Sequence, residues 1–197
     1  MKRRSVRILT GAIAMAAVYT AFALIPIGGA EPDAVLTLGC ALALAMAIAV
    51  VASLVNWSRR LHFEVWFLLL YLNLAAVAVE GRLFAPAVAR PAQLPANLAQ
   101  LAVASLGVAG VAAAWFGRRQ AGWRTTPVWP VTGWVWRLVV AAGVYFVLYL
   151  VIGGINFTLV TKPYYETHAG GVSMPPAEVI FVYEPVRGLM IALSVLL

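Results

Sequence analysis

The chain has 197 residues, is 63% hydrophobic and only 11% charged, and its mean hydropathy is +0.93. Soluble domains are nearer half apolar and a quarter charged, so 14 basic and 7 acidic side chains cannot provide a water-facing surface for a protein of this size. The net charge of +7 does not indicate nucleic acid, because the basic residues form short flanks between apolar runs rather than one face. The expected partner is the lipid bilayer, whose anionic headgroups attract such flanks.

Six apolar runs occur in chain order, at about 8–27, 35–55, 65–83, 98–116, 135–157 and 176–197. Each approaches the roughly 20 residues that a membrane helix needs. Leu, Ala and Val dominate, and no run shows the sustained alternation of a barrel strand, which predicts helices. The expected fold is an all-α, polytopic bundle of about six membrane helices, forming a single membrane domain over 1–197. The opening MKRRSVR and its apolar run also suit a signal peptide cut after Ala30. That run exceeds the ~7–15 residues usual there, which favours an uncleaved helix.

An N-terminus in the cytoplasm places Lys2, Arg3, Arg4, Arg7, Arg59, Arg60, Arg118, Arg119, Arg124 and Arg137 inside. Only Arg82, Arg90 and Lys162 then fall in outer loops, the asymmetry that the positive-inside rule requires. In these general features the chain resembles bacterial multi-pass inner-membrane proteins, a likeness that carries no activity. Trp57, Trp66, Trp123, Trp129, Trp134 and Trp136 cluster at predicted helix ends, where interfacial anchoring accounts for them. His62 is assigned to headgroup contact on the same ground, and Cys40 to buried packing.

Two small-residue stripes, Gly39–Ala43–Ala47 in the second run and Ser105–Ala109–Ala113 in the fourth, predict close helix packing. They also allow a homo-oligomer or a partner membrane subunit. Asn73 is expected to hydrogen-bond a neighbouring helix. Gly153 and Gly154 mark a place where the fifth helix can loosen.

Catalytic and nucleotide motifs are missing from the chain: there is no P-loop, G-x-S-x-G, H-E-x-x-H, C-x-x-C or dinucleotide fingerprint. No cofactor and no metal is expected. What remains is a polar set that the predicted topology gathers on the outer side: Glu80, Asn156, Tyr164, Tyr165, Glu166, His168, Glu184 and Arg187. Glu184 lies about eight residues into the sixth run, ~12 Å along a helix. Ionisable groups at that depth face a bundle interior or a wet cavity. Ser173 and Pro175 or Pro176 suit the start of that helix. Glu184 and Arg187, three apart, share a face. Pro185 between them leaves a backbone carbonyl without its donor, which predicts a kink.

The function expected from these residues is a transporter-like component with an outward-facing polar pocket, rimmed by the Tyr164–His168 loop. The alternatives are a scaffold or sensory subunit acting through helix contacts, and a membrane enzyme using Glu166, His168 and Glu184 as acid–base groups. The sixth run stops without a basic or aromatic flank, which predicts a longer parent chain.

Overall fold

In the computed structural model the described residues are 2–26, 33–84, 91–118, 130–163 and 176–196. Among them the secondary structure is helical, with no strand and one isolated backbone bridge between Ser58 and Arg118. The helices are α1 (Lys2–Ala23), α2 (Ala34–Leu54), α3 (Arg59–Phe84), α4 (Leu94–Phe116), α5 (Val131–Leu148) and α6 (Ala177–Leu196). Beyond Leu148 the helical path continues through a π turn at Tyr149–Gly153, an α turn at Gly154–Asn156 and a second π turn at Phe157–Thr161. Helices α1 to α4, and α5 with its continuation, are long and apolar enough to cross a membrane. The 20 residues of α6 have the length of a span but carry Glu178, Glu184 and Arg187.

The helices reach beyond the apolar runs at their charged ends. α1 takes in Lys2 to Arg7, and α3 starts at Arg59. Apolarity marks only the hydrocarbon depth, whereas the backbone ladder can continue into the headgroup layer. α2 begins where Asp33 caps it, its Oδ1 accepting from the Val35 and Leu36 amides at 2.9 and 3.0 Å. α6 begins just after Pro176, whose carbonyl accepts from the Val179 amide at 3.0 Å. Ser173 and Pro175 lie outside the described residues. α6 runs as α-helix through Pro185.

Two compact units emerge. The first comprises Met1–Tyr71 and Pro95–Arg124, and holds α1, α2, the first half of α3 and nearly all of α4. Its core is built from short side chains: Ala12, Ala16, Ala41, Ala45, Ala49, Ala52, Ala109 and Ala112 are buried with Met15, Ile48, Trp66 and Phe116. Such side chains let helix backbones approach, so dispersion contacts accumulate where lipid offers no hydrophobic driving force.

The buried stripe of α4 is Ser105–Ala109–Ala113, as expected. On α2 the buried face is instead Ala41, Ala45, Ile48, Ala49 and Ala52, and the Gly39–Ala43–Ala47 stripe is exposed. Cys40 is exposed rather than packed inside. α2 is apolar on all sides, so its sequence gives no cue to which of several small stripes meets protein.

Polar side chains of the first unit work at helix ends. Arg7, near the start of α1, donates from Nε (2.7 Å) and Nη2 to the Trp115 carbonyl in the last turn of α4. Gln100, in the first half of α4, donates to the Phe22 and Ile25 carbonyls at the end of α1, at 2.5 and 3.0 Å. Each helix of this pair thus supplies a side-chain donor to carbonyls where the other ends. At Gly117 the chain passes so close to the Arg59 backbone that an added Cβ would lie 2.6 Å from its Cα. The Arg118 amide and carbonyl bond there to the Trp57 carbonyl (3.1 Å) and the Arg59 amide (3.3 Å).

The second unit comprises Leu72–Leu94 and Thr125–Leu197. Here α5 packs on α6. The contact closes at Gly188, where a Cβ would come within 2.8 Å of the Tyr145 ring, and the Phe146 and Phe181 rings meet at 5.5 Å.

Candidate functional site

The second unit carries a polar cluster built from three helices. On α3, Asn73, Ala76 and Glu80 are spaced three and four apart, and so share one face. On α5, Tyr145 and Tyr149 are one turn apart. On α6, Tyr183 and Glu184 lie four and three residues before Arg187, which places all three on one side.

Arg187 holds the cluster together. Its Nη1 lies 2.5 Å from Glu80 Oε2, and its Nη2 donates to Asn73 Oδ1 at 3.1 Å. The same Nη1 is 3.8 Å from Glu184 Oε2, and the guanidinium sits over the Tyr145 ring at 5.8 Å. The Tyr149 hydroxyl donates to Glu80 Oε1 at 2.5 Å, and the Tyr183 hydroxyl donates to the Ala76 carbonyl at 2.6 Å. Glu184 is 1% exposed and Arg187 8%.

The partners are unequally shared. Both Glu80 oxygens have a strong donor. Glu184 Oε2 and Arg187 Nε are buried with no hydrogen-bond partner. Two carboxylates face one guanidinium, so the ionised cluster carries one surplus negative charge. Burying charge is costly unless it is paired and hydrogen-bonded. That cost falls mainly on Glu184.

The structure therefore brings together Glu80, Glu184 and Arg187 from the expected set. Asn156 is not among them: it is exposed. In an unbroken α-helix it would come two turns after Tyr149 on the same face. The π turn between them inserts a residue, which rotates the later part of the helix by about 100°. Tyr164, Tyr165, Glu166 and His168 lie outside the described residues. Glu178 is exposed in the first turn of α6. Among the described residues no three His, Cys, Asp or Glu side chains gather as a metal-ligand set.

Asn73, Tyr145 and Tyr149 join the cluster although the sequence does not mark them as site residues. It does hold a signal for them: seven residues separate Asn73 from Glu80, and four separate the tyrosines. Spacing alone cannot reveal which neighbouring helix such a face meets. Glu184, three residues earlier on the same face, is the partner that spacing offers Arg187, but the shorter contact is with Glu80 on α3.

His62, in the first unit, also departs from expectation. It is fully buried, with its ring 5.4 Å from that of Trp57. Its Nδ1 accepts from Trp66 Nε1 at 3.2 Å, and Nε2 has no hydrogen-bond partner. Because Nδ1 is an acceptor, the neutral ring carries its proton on Nε2. Trp66 is buried in the core rather than anchoring at the interface. Of the other tryptophans, Trp136 is exposed, Trp134 is partly buried, and Trp123 and Trp129 lie outside the described residues.

No protein-family model, no curated protein and no solved structure matches the chain, so its function is argued from the geometry of this cluster.

Proposed function

We propose that the chain is a transporter-like membrane component, with the Glu80–Arg187–Glu184 cluster as its polar site. One observation carries the reading: ionisable groups from α3 and α6 converge with α5 tyrosines inside an otherwise apolar, membrane-type helical unit. Such groups are costly in a bilayer and mark substrate or ion pathways. The reading includes a cytoplasmic N-terminus in a bacterial inner membrane, from the ten-to-three asymmetry of basic residues. With that orientation the cluster lies toward the outer face.

In the conformation described Glu184 and Arg187 are closed off from solvent while Glu80 and the tyrosines are partly exposed, so transport requires the site around Glu184 to open. The same closure favours the second reading, a scaffold whose buried ion pairs only fix helix packing. Cysteine accessibility separates the two. Cys40 is replaced by Ser, single cysteines are placed at Ala76 and Tyr183, and intact cells are treated with a membrane-impermeant maleimide. The transporter reading expects labelling from the outer face. Complete protection of both positions, with labelling restored only on unfolding, would support the scaffold instead.

A further inference from the structure

We infer that the cluster binds one compensating monovalent cation, H⁺ or Na⁺, at Glu184, which deepens the polar-site reading above and rests on the same residues.

The allocation of charge within the cluster is uneven. Glu80 accepts from Arg187 at 2.5 Å and from Tyr149 at 2.5 Å, one donor for each oxygen. Arg187 spends its second terminal nitrogen on Asn73. Glu184, although 1% exposed, shares the Tyr149 hydroxyl with Glu80 and has as its cation only the 3.8 Å approach of a guanidinium already committed elsewhere. Its Oε2 has no hydrogen bond.

Among the described residues, the groups around Glu184 supply no second positive charge. α3 presents Glu80, α5 presents Tyr145 and Tyr149, and α6 itself presents Tyr183 and Arg187. Arg82, the other cation in that half of α3, turns back to the Ala78 carbonyl at 2.6 Å. Among the described residues the surplus negative charge therefore has no cation of its own, and burying a charge that is not paired is costly in a low-dielectric interior.

A single small cation resolves this. A proton neutralises Glu184 directly: hydronium from bulk water gives its proton to a carboxylate oxygen and leaves as water, and the proton returns to water when the site opens. A sodium ion would sit on oxygens, the ligand type that hard cations prefer. The nearby candidates are Glu184 Oε2 and the hydroxyls of Tyr149 and Tyr183. Either ion delivers the same positive charge to the same atom.

The test uses the purified full chain in lipid, with two readouts. If the ion is H⁺, infrared spectra at neutral pH show a protonated-carboxyl C=O band that shifts in D₂O. That band is lost in Glu184→Gln and kept in Glu178→Gln. If the ion is Na⁺, NaCl raises Tm where choline chloride does not, and Glu184→Gln abolishes the rise. Gln copies the neutral shape of the group, and a Tm of the salt-free variant at or above the parent's shows that it folds.

Absence of both the band and the Na⁺ shift, or either one persisting in Glu184→Gln, overturns the inference. Protection from maleimide together with a Glu184-dependent band or shift removes the transporter reading but leaves the cation site standing.

Discussion

The two units of this chain hold their helices together by different means. In the first, alanines at four-residue spacing bring backbones close, and polar side chains such as Arg7 and Gln100 act at helix ends. In the second, the polar groups sit within the helices: Arg187, Glu80, Glu184 and Asn73 meet alongside three tyrosines. The lesson is one of tolerance. A small-residue interface depends on shape and fails by overfilling. A buried charge cluster depends on balance and fails when one member is removed.

The largest effect is therefore expected at Arg187. Arg187→Met takes the guanidinium away from Glu80, Asn73 and the buried Glu184 and should destabilise the protein by about 3–5 kcal/mol, the usual result of breaking a buried pair. Denaturant or thermal unfolding in detergent measures it. The triple variant Glu80→Gln, Arg187→Met, Glu184→Gln removes every charge at once and should recover most of that loss. A triple variant as unstable as Arg187→Met would mean that the network's shape matters more than its charge.

The shape side of the comparison is tested on α2 and α4. Ala109 is fully buried, and Ala109→Leu should cost about 1–3 kcal/mol by overpacking. Ala47 lies on the exposed stripe of α2, so Ala47→Leu should stay within about 0.5 kcal/mol. Equal costs at the two positions would show that the exposed stripe of α2 is covered in the membrane.

A smaller loss is expected from Tyr149→Phe, which deletes one hydroxyl bond to Glu80. Interhelical hydrogen bonds in membrane proteins average about 0.6 kcal/mol and reach about 1.7. Combining Tyr149→Phe with Glu80→Gln in a double-mutant cycle isolates that coupling. Asn156→Leu should show the smallest change, within about 0.5 kcal/mol, because Asn156 is exposed past the π turn. A loss above about 1 kcal/mol there, well outside the range for free surface positions, would place Asn156 in a contact that the single chain does not display.

Part of the cluster is legible in the sequence. Glu184 and Arg187 stand out as charges inside an apolar run, and Glu80 as an acid near the end of another. Tyr145 and Tyr149 do not, because tyrosines in a membrane helix have an ordinary explanation at the interface. Asn156 joins the expected set because the predicted topology puts it at the same end as Glu80; to face the cluster it would need an α-helical register throughout α5 and its continuation. The π turn at Tyr149–Gly153 breaks that register; Gly153 and Gly154 mark where the helix can loosen, but not that a residue is inserted there.

What the sequence determined alone is the class: membrane-type helices and their approximate extents. Those result from local apolarity and from the need to satisfy every backbone group within its own segment. The tertiary structure decided which alanine stripe of α2 is buried, that His62 and Trp66 turn inward, and that Arg187 serves Glu80 before Glu184. The reason lies in the surroundings. In water, a helix shows its inner face by being apolar there and polar elsewhere. In a bilayer both faces are apolar, so the choice is left to packing and to the few charges that must find partners.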